Sequence, residues 1–142
     1  MPFDLEIVTP EGQAFRGRVA RVVLPGREGR FGVLANHECF LAALRIGEVE
    51  ILTDEGPIYA AVADGFARVD GESVSVLVDS CELESEIDAA RAAAAAARAQ
   101  QYLDKLAGDD DPERYRHYEA ALERARTRIG VSERSPRRSV AS

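Results

Sequence analysis

The first half of the chain alternates apolar and polar residues with a period of two. Residues 3–7 (Phe-Asp-Leu-Glu-Ile) alternate strictly, and residues 73–78 form a β-branched run with a similar period. Such alternation is typical of β-strands that bury one face. An Asp70-Gly71 pair predicts a hairpin turn before the second of these segments. Further short strands, separated by turns rich in glycine, proline and acidic residues, are predicted at residues 19–24, 31–34, 48–52 and 58–62. Short strands in this number favour a flattened β-sandwich or barrel over residues 1–84.

Helix formers replace the β-branched residues near residue 85. Residues 85–88 (Ser-Glu-Ile-Asp) have the form of a capping box, and the alanine-rich run that follows predicts a helix that ends at Gly108. Each buried CH₂ contributes only about 0.8 kcal/mol, so a face of single methyl groups docks weakly on a neighbouring domain. We therefore expect the helical region to be able to leave the β domain without unfolding it.

A second helix is predicted from Pro112 to about Ile129. Three aspartates precede the proline, and both features favour a helix N-terminus. The short connection between the helices predicts an antiparallel two-helix hairpin over residues 85–131. Residues 132–142 are predicted to form a disordered tail. The expected fold is therefore a mostly β N-terminal domain followed by a helical hairpin.

The net charge of the chain argues against nucleic-acid binding as its general function. The 142 residues carry 25 acidic and 18 basic side chains, a net charge of −7. Residues 1–86 hold 16 acidic and 7 basic side chains, whereas residues 87–142 hold 9 acidic and 11 basic ones. An acidic protein is a poor general partner for nucleic acid, because phosphates need a positive surface. No apolar stretch reaches the roughly 18 residues that span a bilayer, so we expect a cytosolic protein without direct membrane insertion.

Sequence signatures of catalysis are missing. The chain has no G-x-x-x-x-G-K-[ST] loop, no G-x-G-x-x-G, no G-x-S-x-G and no H-E-x-x-H. His37 and His117 fall on different predicted domains, so we expect no metal site. Cys39 and Cys81 are expected to be free, small core residues, because cytosolic thiols are normally reduced. These observations predict a non-catalytic protein.

Arginines of the two predicted helices form a candidate binding group. Asp88, Arg91 and Arg98 share one face of the first helix, and Arg124 and Arg128 share one face of the second. If the helices pair, four guanidinium groups could converge on a polyphosphate, which they suit by geometry and fixed charge. On spacing alone, the alternative is a solvated helix surface with a weak Asp88–Arg91 pair.

Several segments taken together resemble the epsilon subunit family of bacterial F-type ATP synthase. The segments are residues 5–12 (Leu-Glu-Ile-Val-Thr-Pro-Glu-Gly), 29–37 (Gly-Arg-Phe-Gly-Val-Leu-Ala-Asn-His), 63–66 (Ala-Asp-Gly-Phe) and 87–92 (Ile-Asp-Ala-Ala-Arg-Ala). The similarity covers residues 3–131 in order.

This resemblance implies a rotor subunit of the central stalk, peripheral to the cytoplasmic face of the cell membrane. It implies contacts of the β domain with the gamma subunit and the membrane c-ring. The hairpin is expected to switch between a state folded on the sandwich and one extended into the catalytic alpha/beta hexamer, where it inhibits ATP hydrolysis. Proton translocation by the complex and coupling of rotation to ATP synthesis are implied in the same way.

The resemblance also implies a regulatory ATP site, although no cofactor is required. In some family members the folded hairpin binds ATP through an I-D-x-x-R-A motif and arginines of both helices. The matching residues here are Glu82, Ile87, Asp88, Arg91, Ala92, Arg98, Arg124 and Arg128. A rival use is also implied, in which Arg124, Arg126 and Arg128 face an acidic segment of the catalytic beta subunit in the extended state.

Two other interpretations stay open at this point. The chain could be a freestanding β-sandwich that binds a ligand, with a hairpin that merely covers one sheet. It could also be an ATP-sensing protein outside any rotary complex. Capture of gamma and a hydrolytic hexamer would favour the rotor interpretation over both.

Overall fold

The computed structural model describes residues 2–106 and 111–134, apart from the side chain of His37. In this part of the chain, ten strands precede a short 3₁₀ helix (Glu84–Glu86) and two α-helices, α1 (Ala89–Leu106) and α2 (Pro112–Glu133). The strands are β1 (Phe3–Thr9), β2 (Gly12–Val19), β3 (Arg21–Gly26), β4 (Gly29–Val33), β5 (His37–Leu44), β6 (Gly47–Thr53), β7 (Gly56–Val62), β8 (Gly65–Gly71), β9 (Ser73–Val78) and β10 (Cys81–Leu83).

The strands form a nearly closed sandwich. They pair in the order β10-β7-β6-β3-β5-β8-β9-β1-β2, with β4 beside β3, and only the β1–β9 pair is parallel. Phe3, Leu5 and Ile7 of β1 are buried on the inner face, as their alternation predicts. Asp70 pairs with Ser73 in the predicted β8–β9 hairpin. The predicted sandwich followed by two helices is confirmed.

Four strands were not predicted from the sequence: β2, β5, β8 and β10. Strand β2 buries only Val19, and among the described side chains of β5 only Leu44 is buried. Strand β10 has only three residues, none of them fully buried. Without a fully buried face, β2, β5 and β10 lack the alternation that identifies β1. Strand β8 does bury Ala67 and Val69, and the sequence indicated it only through the Asp70-Gly71 turn, without bounds. Cys39 of β5 is exposed, so the expectation of a core cysteine is wrong there, whereas Cys81 is partly buried.

Helix α2 is longer than the sequence predicts. It passes through Gly130 and ends at Glu133, so the predicted end near Ile129 is wrong, as is a tail that begins at residue 132. Two contacts explain the extension: Val131 is fully buried, and the Ser132 hydroxyl donates a 2.7 Å hydrogen bond to the Ile129 carbonyl. The predicted stop at Gly108 and residues 135–142 of the predicted tail lie outside the described residues.

The two helices pack antiparallel on each other. Ala99 and Leu103 of α1 form a buried cluster with Leu122 of α2, and the rings of Tyr102 and Tyr118 stack with centroids 4.5 Å apart. The alanines of this cluster therefore pack within the hairpin. Helix α2, rather than the alanine face of α1, makes the main helical contacts with β6 and β7. The expectation that the alanine run forms the docking face on the sandwich is wrong.

Within residues 2–106 and 111–134, neither helix is long and apolar enough to cross a bilayer.

Candidate functional site

The first turn of α1 is organised by Asp88. Its carboxylate oxygen Oδ1 accepts a 3.1 Å hydrogen bond from the Arg91 backbone N–H, and its carbonyl accepts one from Ala92. Asp88 is thus the N-cap, and the predicted capping box at Ser85 is wrong. The physical reason is Ile87, whose extended backbone (φ −81°, ψ 126°) separates the 3₁₀ turn from the helix. Asp88 therefore binds the Arg91 backbone, and no ion pair to its guanidinium is seen between these described residues.

Ile87 and Ala92 are packing residues in this conformation. Ile87 is buried in a small apolar cluster with Ala61 of β7 and Val131 of α2, against which Tyr59 also packs. Ala92 is fully buried on α1. We call the contact between α2 and the sandwich the seam. The Ile87 cluster is the seam's apolar centre, and it is small beside the main core of the sandwich.

Glu82 and Arg128 form an ion pair across the seam. Glu82 lies on β10, and its Oε1 is 2.7 Å from Nε of Arg128 on α2. The Nε group is buried, and among the described residues no acceptor is aligned with its N–H. The contact is therefore mainly electrostatic. Arg124 lies one helical turn before Arg128, and both line a cavity of about 200 Å³ with Ala61, Val62, Ser80 and Glu82.

Arg91 and Arg98 are placed differently. Both are exposed on α1, and neither lines the cavity beside Glu82. In the described part of the chain, neither guanidinium has an ion-pair partner. The structure therefore brings Glu82, Arg124 and Arg128 together, and leaves the two α1 arginines on an open surface. In this docked conformation only two of the four guanidinium groups line one cavity.

Two further ion pairs cross the seam, and sequence reasoning missed both. Arg45 Nη2 lies 2.7 Å from Glu123 Oε1, and Arg134 Nε lies 2.7 Å from Glu48 Oε1. The hydrogen bond to Glu48, and then its charge, raise the pKa of Arg134. The Arg134 guanidinium also lies 5.5 Å from the centre of the Tyr59 ring. Because these partners are 78 and 86 residues apart, no local pattern could have indicated them.

An exposed apolar row on the outer face of the sandwich was also missed. Phe66 of β8 pairs with Ala43 of β5 on one side and with Leu77 of β9 on the other. Leu77 in turn pairs with Val8 of β1. Phe66 and Leu77 are 54% and 55% exposed, and nearby Leu41 is 69% exposed. Such large apolar side chains side by side on a surface mark a contact site. The sequence could have indicated this row, because β5, β8 and β9 each carry apolar residues on both faces.

No group of three or more side chains with metal-ligand chemistry occurs among the residues that the structure describes.

Comparison with known proteins identifies both domains. Residues 2–84 match the family model "ATP synthase, Delta/Epsilon chain, beta-sandwich domain", and residues 85–133 match "ATP synthase, Delta/Epsilon chain, long alpha-helix domain". The ATP synthase epsilon chain of Geotalea uraniireducens (strain Rf4) is 40% identical over 134 residues, which cover 94% of this chain and 96% of the relative. That of Staphylococcus aureus (strain JH9) is 40% identical over 131 residues, covering 92% and 96%.

Solved structures agree on the fold. A chain of the Euglena gracilis mitochondrial ATP synthase, from a structure of its OSCP/F1/c-ring part in rotational state 1, superposes with a TM-score of 0.75. That match covers 89% of this chain and 78% of the other, at 24% sequence identity. Both domains are thus matched in sequence and in architecture. The chain belongs to the ATP synthase delta/epsilon chain family and has the two domains of an epsilon chain.

Proposed function

We propose that this epsilon chain is a non-catalytic rotor subunit of the central stalk of a proton-translocating F-type ATP synthase. In this role its sandwich binds the gamma subunit and the membrane c-ring, on the cytoplasmic face of the cell membrane. Its hairpin moves between the docked state and a state extended into the catalytic alpha/beta hexamer, where it inhibits ATP hydrolysis. The role couples rotation to ATP synthesis and requires no catalytic residue of this chain.

The observation that carries the stalk assignment is the apolar row of Leu41, Phe66 and Leu77. Each of these three large apolar side chains is more than half exposed, and contact with water raises the free energy of the chain. A partner subunit that covers them lowers it. The row lies on β5, β8 and β9, whereas the hairpin contacts β6 and β7. A partner on the row therefore leaves the hairpin free to move.

The composition of the seam supports a mobile hairpin. Its apolar centre consists of Ala61, Ile87 and Val131, with Tyr59 packed against it. Three ion pairs between partly exposed side chains also cross it. Such pairs contribute about 0–1 kcal/mol each. Two states separated by only a few kcal/mol can be interconverted by a ligand or a partner.

Regulatory ATP is the further part of the proposal. Arg124 and Arg128 beside the cavity supply phosphate-binding groups, and Arg91 and Arg98 are exposed and available. A cavity of about 200 Å³ is small for a nucleotide, since ligand pockets are usually about 300–1,000 Å³. ATP would therefore displace Glu82 from Arg128 and widen this part of the seam.

The decisive experiment measures ATP hydrolysis by the reconstituted complex with the full chain and with a chain that ends before Ile87. We expect faster hydrolysis with the shortened chain, while capture of gamma is retained. Equal rates with both chains would contradict inhibition by the hairpin. Loss of gamma capture on truncation would contradict the assignment of stalk binding to the sandwich.

The partner surface and the ATP site have separate tests. Phe66→Asp should abolish capture of gamma, whereas Tyr115→Asp, at an exposed hairpin position, should leave it unchanged. Equal loss in both variants would contradict the assignment of the row.

Calorimetric titration of the full chain with ATP should show binding that Arg124→Gln weakens by about tenfold or more, as loss of a charged hydrogen bond predicts. If no heat of binding were measured at millimolar ATP, the proposed ATP site would be contradicted.

A further inference from the structure

A second, larger cavity lies on the opposite side of α2 from Arg124 and Arg128. It has a volume of about 490 Å³, within the usual range for small-molecule sites. Its floor comes from the β3–β4 and β5–β6 turns, with Pro25 and Ile46 as its larger apolar residues, and its other wall is α2 at Arg126 and Thr127. None of the residues predicted to bind ATP lines it.

The charged residues that line this cavity carry a net positive charge. Glu123 is paired with Arg45 at 2.7 Å, and Glu48 is paired with Arg134 at 2.7 Å, so both carboxylates that line the cavity are neutralised. Arg30 and Arg126 are the other charged residues of the lining. Among residues 2–106 and 111–134, neither of these two arginines has a carboxylate partner.

Arg30 is also held in position. Its Nη1 donates a 3.3 Å hydrogen bond to the backbone carbonyl of Glu48, which is a neutral acceptor. A guanidinium has five N–H donors, so this bond leaves most of them available to a ligand. Arg126 is exposed on the facing helix. Arg30 thus lines the cavity from the sandwich and Arg126 lines it from the hairpin.

We propose that this cavity binds a small organic phosphate, with its phosphate held by Arg30 and Arg126 and its apolar body against Pro25 and Ile46. Guanidinium groups bind phosphate through paired, charge-assisted hydrogen bonds, and the apolar lining gives an organic group an advantage over the free ion. Because the two arginines lie on opposite sides of the seam, occupancy favours the docked hairpin. That consequence rests on the hairpin movement of the proposed function, whereas binding itself requires only the docked state.

The probe is phenyl phosphate, which carries one phosphate and one ring and lacks the base and ribose of a nucleotide. We would titrate it into the full-length chain and follow backbone amide and arginine side-chain resonances by NMR. Saturable shifts are expected at residues that line the cavity, and inorganic phosphate is expected to bind at least about tenfold more weakly. Arg30→Gln and Arg126→Gln should each raise the Kd about tenfold or more, since each removes charged hydrogen bonds.

Arg116→Gln is the matched control. It removes the same charge from α2 about 15 Å from Arg126 along the helix, and should leave the Kd within about twofold. Arg30 and Arg126 are exposed, so their variants should melt at the temperature of the unaltered chain, and Arg126→Lys offers a further variant that keeps the charge. Three outcomes would overturn the proposal: no saturable shifts, shifts centred on Arg124 and Arg128, or equal weakening by Arg116→Gln. Failure of this titration would leave the test of hydrolysis unaffected.

Discussion

Val131→Ala tests whether the hairpin docks as a separable unit. Val131 of α2 is fully buried against Ala61 and Ile87 in the seam, and it lies outside the main core of the sandwich. The substitution removes the equivalent of two buried CH₂ groups, about 1.6 kcal/mol by transfer alone, and the cavity left behind raises the cost to about 2–3 kcal/mol. Undocking should therefore become about 30- to 150-fold more populated.

Hydrogen exchange of backbone amides measures this effect element by element. In the unaltered chain, we expect hairpin amides to exchange through an opening of lower free energy than the amides of β1, β8 and β9. In Val131→Ala the free energy of opening of the hairpin should fall by about 2–3 kcal/mol, while protection in these strands stays unchanged.

Val76→Ala is the matched control for this measurement. Val76 of β9 is also fully buried, but it belongs to the main core of the sandwich. It should lower protection in the sandwich strands and leave the easier opening of the hairpin unchanged. If each substitution lowered protection equally in strands and helices, the two domains would unfold as one cooperative unit, and the reasoning from the small seam would be refuted.

Three shorter predictions follow from the same structure. Raising NaCl from 0.05 to about 0.5 M should speed exchange of the hairpin but not of the sandwich core, because the ion pairs of the seam are partly exposed; exchange that is insensitive to salt would contradict their role. Asp88→Ala should cost about 1 kcal/mol and fray the first turn of α1, measured by amide exchange there, with unchanged exchange as the contrary result. Cys39 should react with a thiol reagent at pH 8 while Cys81 does not until the chain is denatured. Burial, followed by the charges of Glu86 and Glu82, raises the Cys81 pKa to about 12, so almost no thiolate is present; two equally fast thiols would contradict this.

The alternation was clearest in β1. This strand buries Phe3, Leu5 and Ile7 and presents Asp4 and Glu6 on its other face, so its pattern was sufficient. Strand β9 was predicted from its β-branched run, although Leu77 is exposed on its outer face. Strands β5 and β8 carry Leu41 and Phe66 on the outer face, which removes the contrast between faces. In these two strands the exposed apolar residues thus obscured both the strand pattern and the apolar row itself, whereas the β-branched residues of β9 identified that strand despite Leu77.

The helix ends were misplaced because tertiary contacts decided them. Local chemistry favours Ser85 as a cap, yet burial of Ile87 in the seam extends the backbone there and moves the cap to Asp88. Gly130 is a usual place for a helix to end, yet burial of Val131 continues α2 through it. Of the candidate site, Arg128 was chosen by its spacing from Arg124 and Glu82 was matched by resemblance. The two are in contact, but their ion pair is a long-range contact that no local spacing indicates.

The two proposed ligands would make different demands on the seam. On one side, the cavity beside Arg124 and Arg128 is smaller than a nucleotide needs, so binding there must displace Glu82 and rearrange the contact between β10 and α2. On the other side, the cavity beside Arg30 and Arg126 is already within the usual size range of ligand sites, and the proposed phosphate there would join the sandwich to α2. A ligand present at 100 times its Kd for one state favours that state by about 2.7 kcal/mol. Since this is comparable to the loss predicted for Val131→Ala, occupancy of either cavity is large enough to decide whether a seam of this composition stays closed.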